Sequence, residues 1–198
     1  LAAADEASAK ALALGPNLAD AHAARGLALF LRKRADEAEQ HLAQAIALEP
    51  RLYHPHYILG RVRFTQGRMD QAATHFREAS AIVPESYDSW YLLGMCYRKL
   101  GDSVRARSAE LECMEAVKKR LRQHPDDTRA LTMGAAVLAE LGEPERSAEW
   151  VQRALAVDAE EPIIAYNAAC VYVSLGEHQH AIDCLASALR SGSLFADW

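Results

Sequence analysis

Histidine and cysteine are the side chains here with the most obvious chemical potential, and one group of them lies near the C-terminus. His178 and His180 flank Gln179, and Cys184 follows His180 by four residues. On a helix this spacing places His180 and Cys184 on one face, and zinc accepts both ligand types. No fourth ligand is evident, and His178 is expected in a turn. We therefore interpret the cluster as ordinary surface residues and predict no metal site.

Catalytic groups are not expected elsewhere in the sequence. Asp126 and Asp127 precede Thr128 and are typical of a helix N-terminus rather than of a catalytic carboxylate pair. No glycine-rich phosphate loop occurs, and no serine or cysteine has a recognisable nucleophile setting. The sequence predicts no enzymatic activity and no cofactor.

Composition narrows the class of partner. The formal net charge of -5 argues against nucleic acid, which normally requires a basic stripe. No apolar run approaches the roughly 18 residues of a membrane span, so membrane insertion is not expected. The cysteines are Cys96, Cys113, Cys170 and Cys184, with no Cys-x-x-Cys pair. Cys96, Cys113 and Cys170 lie in apolar helical stretches, which favours buried thiols and a cytoplasmic location.

A repeat of fixed length organises the chain. Pro16, Pro50 and Pro84 are 34 residues apart, and each follows an apolar run of helical character. Because proline cannot continue a helix, each marks a helix end. Between the prolines, the expected turns contain Lys33, Gly67, Gly101, Gly142 and Gly176. Glycine suits such turns because it adopts left-handed dihedral angles without penalty.

Residues at fixed positions within this period carry a family resemblance. The segment Trp90–Tyr97 reads Trp-x-x-Leu-Gly-x-x-Tyr. The preceding unit has further matching residues at Leu59, Gly60, Ala72, Phe76, Ala79 and Pro84. Several positions in one phase resemble the tetratricopeptide repeat. The resemblance implies an all-α fold, a right-handed α-solenoid of antiparallel helical hairpins.

The repeat phase divides the chain into five units and two partial ones. Residues 1–18 are expected to be the second helix of a truncated repeat, and residues 196–198 the stub of a capping segment. The complete repeats are predicted at 19–52, 53–86, 87–127, 128–161 and 162–195. The third is longer, which predicts one continuous helix from about Ser103 to His124, ended by Pro125. Its basic tail, Lys118 to Arg122, is interpreted as helix-end stabilisation, with a knob for an acidic partner as the alternative.

Three charged residues occupy positions that are usually apolar in this family. Arg25 and Arg63 do so on first helices, and Glu110 replaces a large aromatic residue on the third unit's second helix. We expect their stems to lie along the edge of the core while their charged ends reach water.

The resemblance also implies where a partner would bind. In this family the first helices of successive hairpins line a concave groove that holds peptides or helices. Carried over by position, the candidate groove residues are His54, Tyr57, Arg61, Phe64, Tyr91, Met95, Arg98, Arg129 and Tyr166. Aromatic residues and arginine are enriched in binding hot spots. The alternative is that some of these aromatic residues only pack between hairpins.

Three functional hypotheses follow from the sequence. The first is a non-catalytic scaffold that binds a protein or peptide, without the lysine-and-asparagine clamp with which some family members bind chaperone C-termini. The second is an accessory region of a larger bacterial signalling enzyme, because the segment Ala165–Tyr172 resembles the last repeat of regions fused to nucleotide cyclases or kinases. The third is self-association as a homo-oligomer through the C-terminal end, where Leu194, Phe195 and Trp198 are apolar.

Overall fold

The computed structural model describes residues 2–190, and eleven α-helices account for the regular structure in that range. None of these helices is long and apolar enough to cross a membrane. In chain order they are α1 (Ala2–Leu14), α2 (Ala19–Leu31), α3 (Ala35–Leu48), α4 (Tyr53–Thr65), α5 (Met69–Ile82), α6 (Tyr87–Lys99), α7 (Ser103–Gln123), α8 (Thr128–Glu140), α9 (Pro144–Val157), α10 (Pro162–Ser174) and α11 (His178–Arg190).

The helices are arranged in hairpins with short turns. The turns after α2, α4, α6, α8 and α10 each have three residues, and the middle residue is left-handed in every one. Four of these residues are glycines with φ of 76° to 80°, and the fifth is Lys33 with φ of 60°. In the first turn the amide of Arg34 donates to the carbonyl of Leu29, which closes the helix end. The turn residues expected from the sequence are therefore confirmed.

The chain divides into two compact units. Unit 1 contains residues 2–84 and 92–106, and unit 2 contains residues 85–91 and 107–190. In unit 1, α2 packs against α3 and α4 against α5, with further packing of α1 on α2 and α3 on α4. A helix that turns back after three residues and packs on its predecessor forms an antiparallel hairpin. The core of unit 1 is built from Leu29, Leu42, Ile58, Leu59 and Val62.

Unit 2 has the same construction. Helix α8 packs against α9 and α10 against α11, and α10 also contacts α8 and α9. One cluster of buried side chains surrounds Cys113, Val117 and Leu138, and a second surrounds Val151 and Tyr172.

Small residues allow the two helices of a hairpin to approach closely. A Cβ atom added at Gly60 on α4 would lie 2.7 Å from the ring of Phe76 on α5. Phe76 is fully buried, so the ring has no free volume into which it could move. The glycine is therefore required for the packing of this hairpin.

The lengthened helix expected from the sequence is present as α7, which ends at Gln123, two residues before Pro125. Three of its terminal cations are paired within unit 2. Lys118 contacts Glu115 at 2.8 Å, Lys119 contacts Glu85 at 2.9 Å, and Arg120 lies 2.6 Å from Asp127. These pairs favour helix-end stabilisation over a basic knob.

Three local expectations were wrong, and the predicted C-terminal segment lies outside the described residues. Cys170 was expected to be buried and is exposed, because it lies on a face of α10 that no other described helix covers fully. Glu110 is only 5% exposed, so it is buried in unit 2 instead of reaching solvent. His178 begins α11 because the left-handed residue of the preceding turn is Gly176, so His178 does not lie in the turn. Leu194, Phe195 and the stub at 196–198 are outside the range that the structure describes. The boundaries of the predicted repeats remain a prediction.

Candidate protein-interaction site

The main feature of the predicted groove in unit 1 is an arginine that lies close to two aromatic rings. The guanidinium carbon of Arg61 on α4 lies 5.3 Å from the ring centre of Phe30 on α2 and 5.9 Å from that of Tyr57. Both distances are within the range of cation–π attraction. We call these three residues the Arg61 cradle. Within residues 2–190, no ion pair or hydrogen bond joins the guanidinium to another residue.

Local helical spacing explains the Arg61 cradle. Tyr57 and Arg61 are four residues apart on α4, so their side chains lie on the same face. Helix α2 packs against α4, which brings Phe30 close to the guanidinium. All three side chains are half-buried.

A further aromatic residue extends this surface. Tyr53 stacks on Tyr57 with ring centres 5.6 Å apart, and the edge of Tyr53 meets His54 with ring centres 5.3 Å apart. Tyr57 also contacts the buried ring of Phe76 at 6.1 Å, which fixes it against the core. Tyr53 was not predicted as part of the groove, although its spacing of four residues from Tyr57 could have indicated it.

The remaining predicted groove residues of unit 1 differ in exposure. His54 and Arg98 are exposed, whereas Phe64 and Met95 are half-buried. Phe64 lies on α4 about one helical turn beyond Arg61, so it continues the apolar surface along that helix.

Three predicted groove residues belong to unit 2. Arg129 on α8 contacts Asp88 on α6 at 2.9 Å, so its charge already has a partner. Tyr91 packs partly against the buried cluster around Cys113 and Val117. This agrees with the alternative that some of the aromatic residues pack in the core instead of lining a groove. Tyr166 on α10 is more than a third exposed, and the neighbouring Cys170 thiol raises its pKa. In unit 2 the structure therefore provides no unpaired arginine equivalent to Arg61 among these three residues.

A chain of hydrogen bonds links side chains of α4 and α5. Arg63 Nη1 lies 2.9 Å from His75 Nε2, His75 Nδ1 lies 3.2 Å from His56 Nδ1, and His56 Nε2 lies 3.0 Å from the carbonyl oxygen of Pro50. The expectation that His56 packs is confirmed, since only 7% of it is exposed. His75 was missed, because its partners lie on another helix.

The groups at the two ends of this chain determine which imidazole nitrogen atoms carry a proton. Arg63 can only donate and the Pro50 carbonyl can only accept, so His56 Nε2 carries a proton and His75 Nε2 does not. His75 Nδ1 therefore donates to His56 Nδ1, and both imidazoles are neutral. Burial lowers the pKa of His75 to about 4, with smaller effects from the charge of Arg63 and from the neighbouring His56.

The same pairing occurs in the preceding hairpin. His22 Nε2 lies 3.0 Å from the carbonyl oxygen of Pro16, and its Nδ1 lies 3.1 Å from His41 Nδ1. Burial, followed by the charges of His22 and Arg25, lowers the pKa of His41. Pro16, His22 and His41 each precede the corresponding residue of the His56 chain by 34 positions. That spacing was a signal in the sequence that could have identified the pairs.

Unit 2 contains a shallow hollow beside α7. Its volume is about 290 Å³, and it is lined by Glu85, Ser86, Tyr87, Asp88, Ala116, Lys119, Arg120 and Gln123. Its two cations are paired with Glu85 and Asp127. Burial, then Asp88 and Asp127, raises the pKa of Tyr87 to about 12, so its hydroxyl stays protonated. The hollow thus offers polar contacts without an uncompensated charge.

In the histidine and cysteine cluster near the C-terminus, His180 contacts other side chains of unit 2. His180 Nδ1 lies 2.7 Å from a carboxylate oxygen of Glu177, and its ring lies 5.1 Å from that of Tyr172. No group of three potential metal ligands occurs in the part of the chain that the structure describes.

Two segments of the sequence match family models of the tetratricopeptide repeat, residues 56–112 and residues 164–191. No curated protein has a sequence that matches this chain. These two matches support a tetratricopeptide-repeat family on the segments that they cover.

The fold matches solved structures of tetratricopeptide-repeat proteins. TTC0263 of Thermus thermophilus has a TM-score of 0.68 and 22% identity, over 90% of this chain and 94% of that one. YrrB, a tetratricopeptide-repeat protein with an unusual peptide-binding site, has a TM-score of 0.57 and 19% identity, over 93% of this chain and 92% of that one. A chain of the APC/C hetero-tetramer Cut9-Hcn1 has a TM-score of 0.68 and 18% identity, over 94% of this chain and 36% of that one. These similarities confirm the predicted fold class.

Proposed function

We propose that this chain is a non-catalytic scaffold that binds a protein or peptide in the groove of unit 1. One observation carries the proposal: the Arg61 cradle holds a half-buried guanidinium against Phe30 and Tyr57 and gives it no acceptor from the described residues. The contacts with two rings restrict this side chain before a ligand binds, which lowers the entropy cost of ordering it in the complex.

The fold supports the same role. Proteins with tetratricopeptide repeats are generally non-catalytic scaffolds, and the fold suggests protein binding. A solenoid of helical hairpins usually presents its recognition surface on one face. Among the three hypotheses, only the groove scaffold makes use of Arg61, and we therefore place it ahead of an enzyme's accessory region and of self-association.

The thiols are consistent with a cytoplasmic location, which we also propose. Burial raises the pKa of Cys96 to about 12, and it raises the pKa of Cys113 as well. Both are inert core residues of the kind found in reducing compartments.

A peptide-library experiment tests the scaffold. Immobilised wild-type protein is exposed to a library of short random peptides, and the retained peptides are identified by mass spectrometry. The double variant Tyr57→Ala, Arg61→Ala should lose most of the retained set because it removes one ring and the cation of the cradle. Circular dichroism checks that the variant is folded.

The control is Arg105→Gln. Arg105 also lies over an aromatic ring of unit 1, at 4.7 Å from the centre of Tyr97, but its guanidinium lies only 2.6 Å from its partner Asp102. This variant should retain the wild-type set of peptides. A folded double variant that retains the same peptides as wild type would show that the groove of unit 1 is not the binding surface.

A further inference from the structure

We infer that the Arg61 cradle binds the side-chain carboxylate of an acidic residue within an extended peptide. This inference rests on the proposed function and names the chemistry of the ligand. It follows from the geometry of the guanidinium, from the charges around it and from the groove on either side.

The contacts with the rings leave the hydrogen-bond donors of the guanidinium unused. Its carbon lies 5.3 Å from the ring centre of Phe30 and 5.9 Å from that of Tyr57, and no described residue accepts a hydrogen bond from its N–H groups. These groups lie in the plane of the guanidinium and point outward from its edges, so a ligand that accepts their hydrogen bonds must approach in that plane. A carboxylate is the group whose two oxygens match the guanidinium fork, with two parallel hydrogen bonds.

Comparison with Arg105 shows what Arg61 lacks. Both guanidinium groups lie against aromatic rings of unit 1. The edge of Arg105 is satisfied by the carboxylate of Asp102, which lies three residues before it. Arg61 has the same aromatic setting without that carboxylate within the described chain. We expect the ligand to supply it.

The charge of the groove helix favours an acidic partner. Helix α4 contains Arg61 and Arg63 and has no acidic residue between Tyr53 and Thr65. An acidic side chain therefore meets no repulsion from this helix. Because the guanidinium is half-buried, the pairing is less weakened by water than an ion pair on the open surface.

The charge of the cradle matches a single carboxylate better than a phosphate. Its two rings hold one guanidinium in the described structure, and a phosphorylated side chain carries nearly two negative charges. Sites for phosphorylated side chains commonly combine several basic residues. The nearby Arg63 is directed toward His75, to which its Nη1 donates.

The surroundings of the cradle favour an internal acidic residue over a chain terminus. Leu27 lies about one turn before Phe30 on α2, and Phe64 lies about one turn beyond Arg61 on α4. Both are half-buried apolar residues that leave surface for a ligand's apolar side chains. Apolar side chains thus lie about one helical turn from the cradle on both helices, where a peptide that passes through could place its own apolar side chains.

Three peptide libraries test the inference. All contain short random peptides that differ only at one central position and at the C-terminus. The first has central Glu and an amidated C-terminus, the second has central Gln and an amidated C-terminus, and the third has central Gln and a free C-terminal carboxylate. Bound fractions are measured on wild type, Arg61→Gln and the control Arg105→Gln, after circular dichroism has shown that each is folded.

The expected result is a preference of wild type and of Arg105→Gln for the first library, by about 10- to 100-fold over the second. Arg61→Gln should reduce this preference to less than about threefold, because charge-assisted pairing is lost. Equal retention of the first two libraries by wild type would overturn the carboxylate inference. So would a preference for the third library, which would indicate a chain terminus.

The design separates failure of the inference from failure of the proposed function. If all libraries bind equally and the folded double variant Tyr57→Ala, Arg61→Ala binds none of them, the groove binds peptides and the carboxylate inference is wrong. If no library is retained by wild type, the proposed peptide-binding function itself is wrong.

Discussion

Acidification should destabilise unit 1 through the chain of histidines beneath α4. In the chain from Arg63 through His75 and His56 to the Pro50 carbonyl, each hydrogen bond uses a neutral imidazole. A proton added to His75 would face the N–H of Arg63, and a proton added to His56 would face the N–H of His75. Protonation of His75 therefore breaks its hydrogen bond with Arg63, so the folded state resists taking up this proton.

The direction of the effect follows from the pKa of His75, which is lowered from 6.5 to about 4. Between these two values the unfolded chain binds this proton and the folded chain does not. The stabilisation is complete above pH 6.5 and is lost as pH falls toward 4. From pH 7 to pH 5, the lowered pKa corresponds to a loss of at most about 2 kcal/mol in the free energy of unfolding. Partial solvent exposure of the ring reduces this loss to about 1 kcal/mol.

Urea denaturation followed by circular dichroism measures this loss. The free energy of unfolding is compared between pH 7 and pH 5, above the range in which most carboxylates titrate. His75→Gln replaces the imidazole with an amide that can accept a hydrogen bond from Arg63 and cannot be protonated. We expect this variant to lose about 1 kcal/mol less than wild type over the same interval. His54→Gln removes an exposed histidine of α4 and serves as the matched control.

The comparison can fail in a clear way. Equal losses for wild type and His75→Gln would refute the reasoning. An NMR titration that finds His75 half-protonated near pH 6.5 in the folded protein would refute it independently, since the free energy would then have no source in this residue.

Three further predictions concern stability and are measured by the same denaturation experiment at pH 7. Gly60→Ala should destabilise the protein by about 1–3 kcal/mol, because the new Cβ would lie 2.7 Å from the buried Phe76 ring; an unchanged midpoint would contradict the packing argument. Lys33→Gly should stabilise it by about 0.5–1 kcal/mol, since φ at this residue is 60°, and a loss of stability would contradict this. Asp127→Ala should cost about 1 kcal/mol because its carboxylate caps α8 at the Ala130 amide, and no change would show that the cap is dispensable.

Local sequence signals predicted the helices and turns well. Proline and glycine mark positions where the backbone itself is constrained, so the left-handed turns and the end of α7 near Pro125 could be anticipated. Even Lys33 could be assigned to a turn, because it occupies the position that glycine has in the other hairpins. These features depend on residues close in the chain.

The missed features depend on side chains from different helices. His75 lies 19 residues from His56, and their pairing requires the two helices of a hairpin to be in register. The position of Phe30 against Arg61 likewise depends on α2 packing against α4. The burial of Glu110 could not be predicted, because family position indicates where a residue lies but not whether its charge reaches solvent.

The first hairpin turn has a consequence for proteolysis. Lys33 is flanked by Arg32 and Arg34, and all three are exposed in a turn that lacks the glycine of the other hairpins. Proteases that cleave after basic residues act most readily on such exposed turns. A cut there would leave Phe30 on one fragment and Arg61 on the other. A single nick would therefore divide the Arg61 cradle between two polypeptides and make ligand binding depend on their staying together.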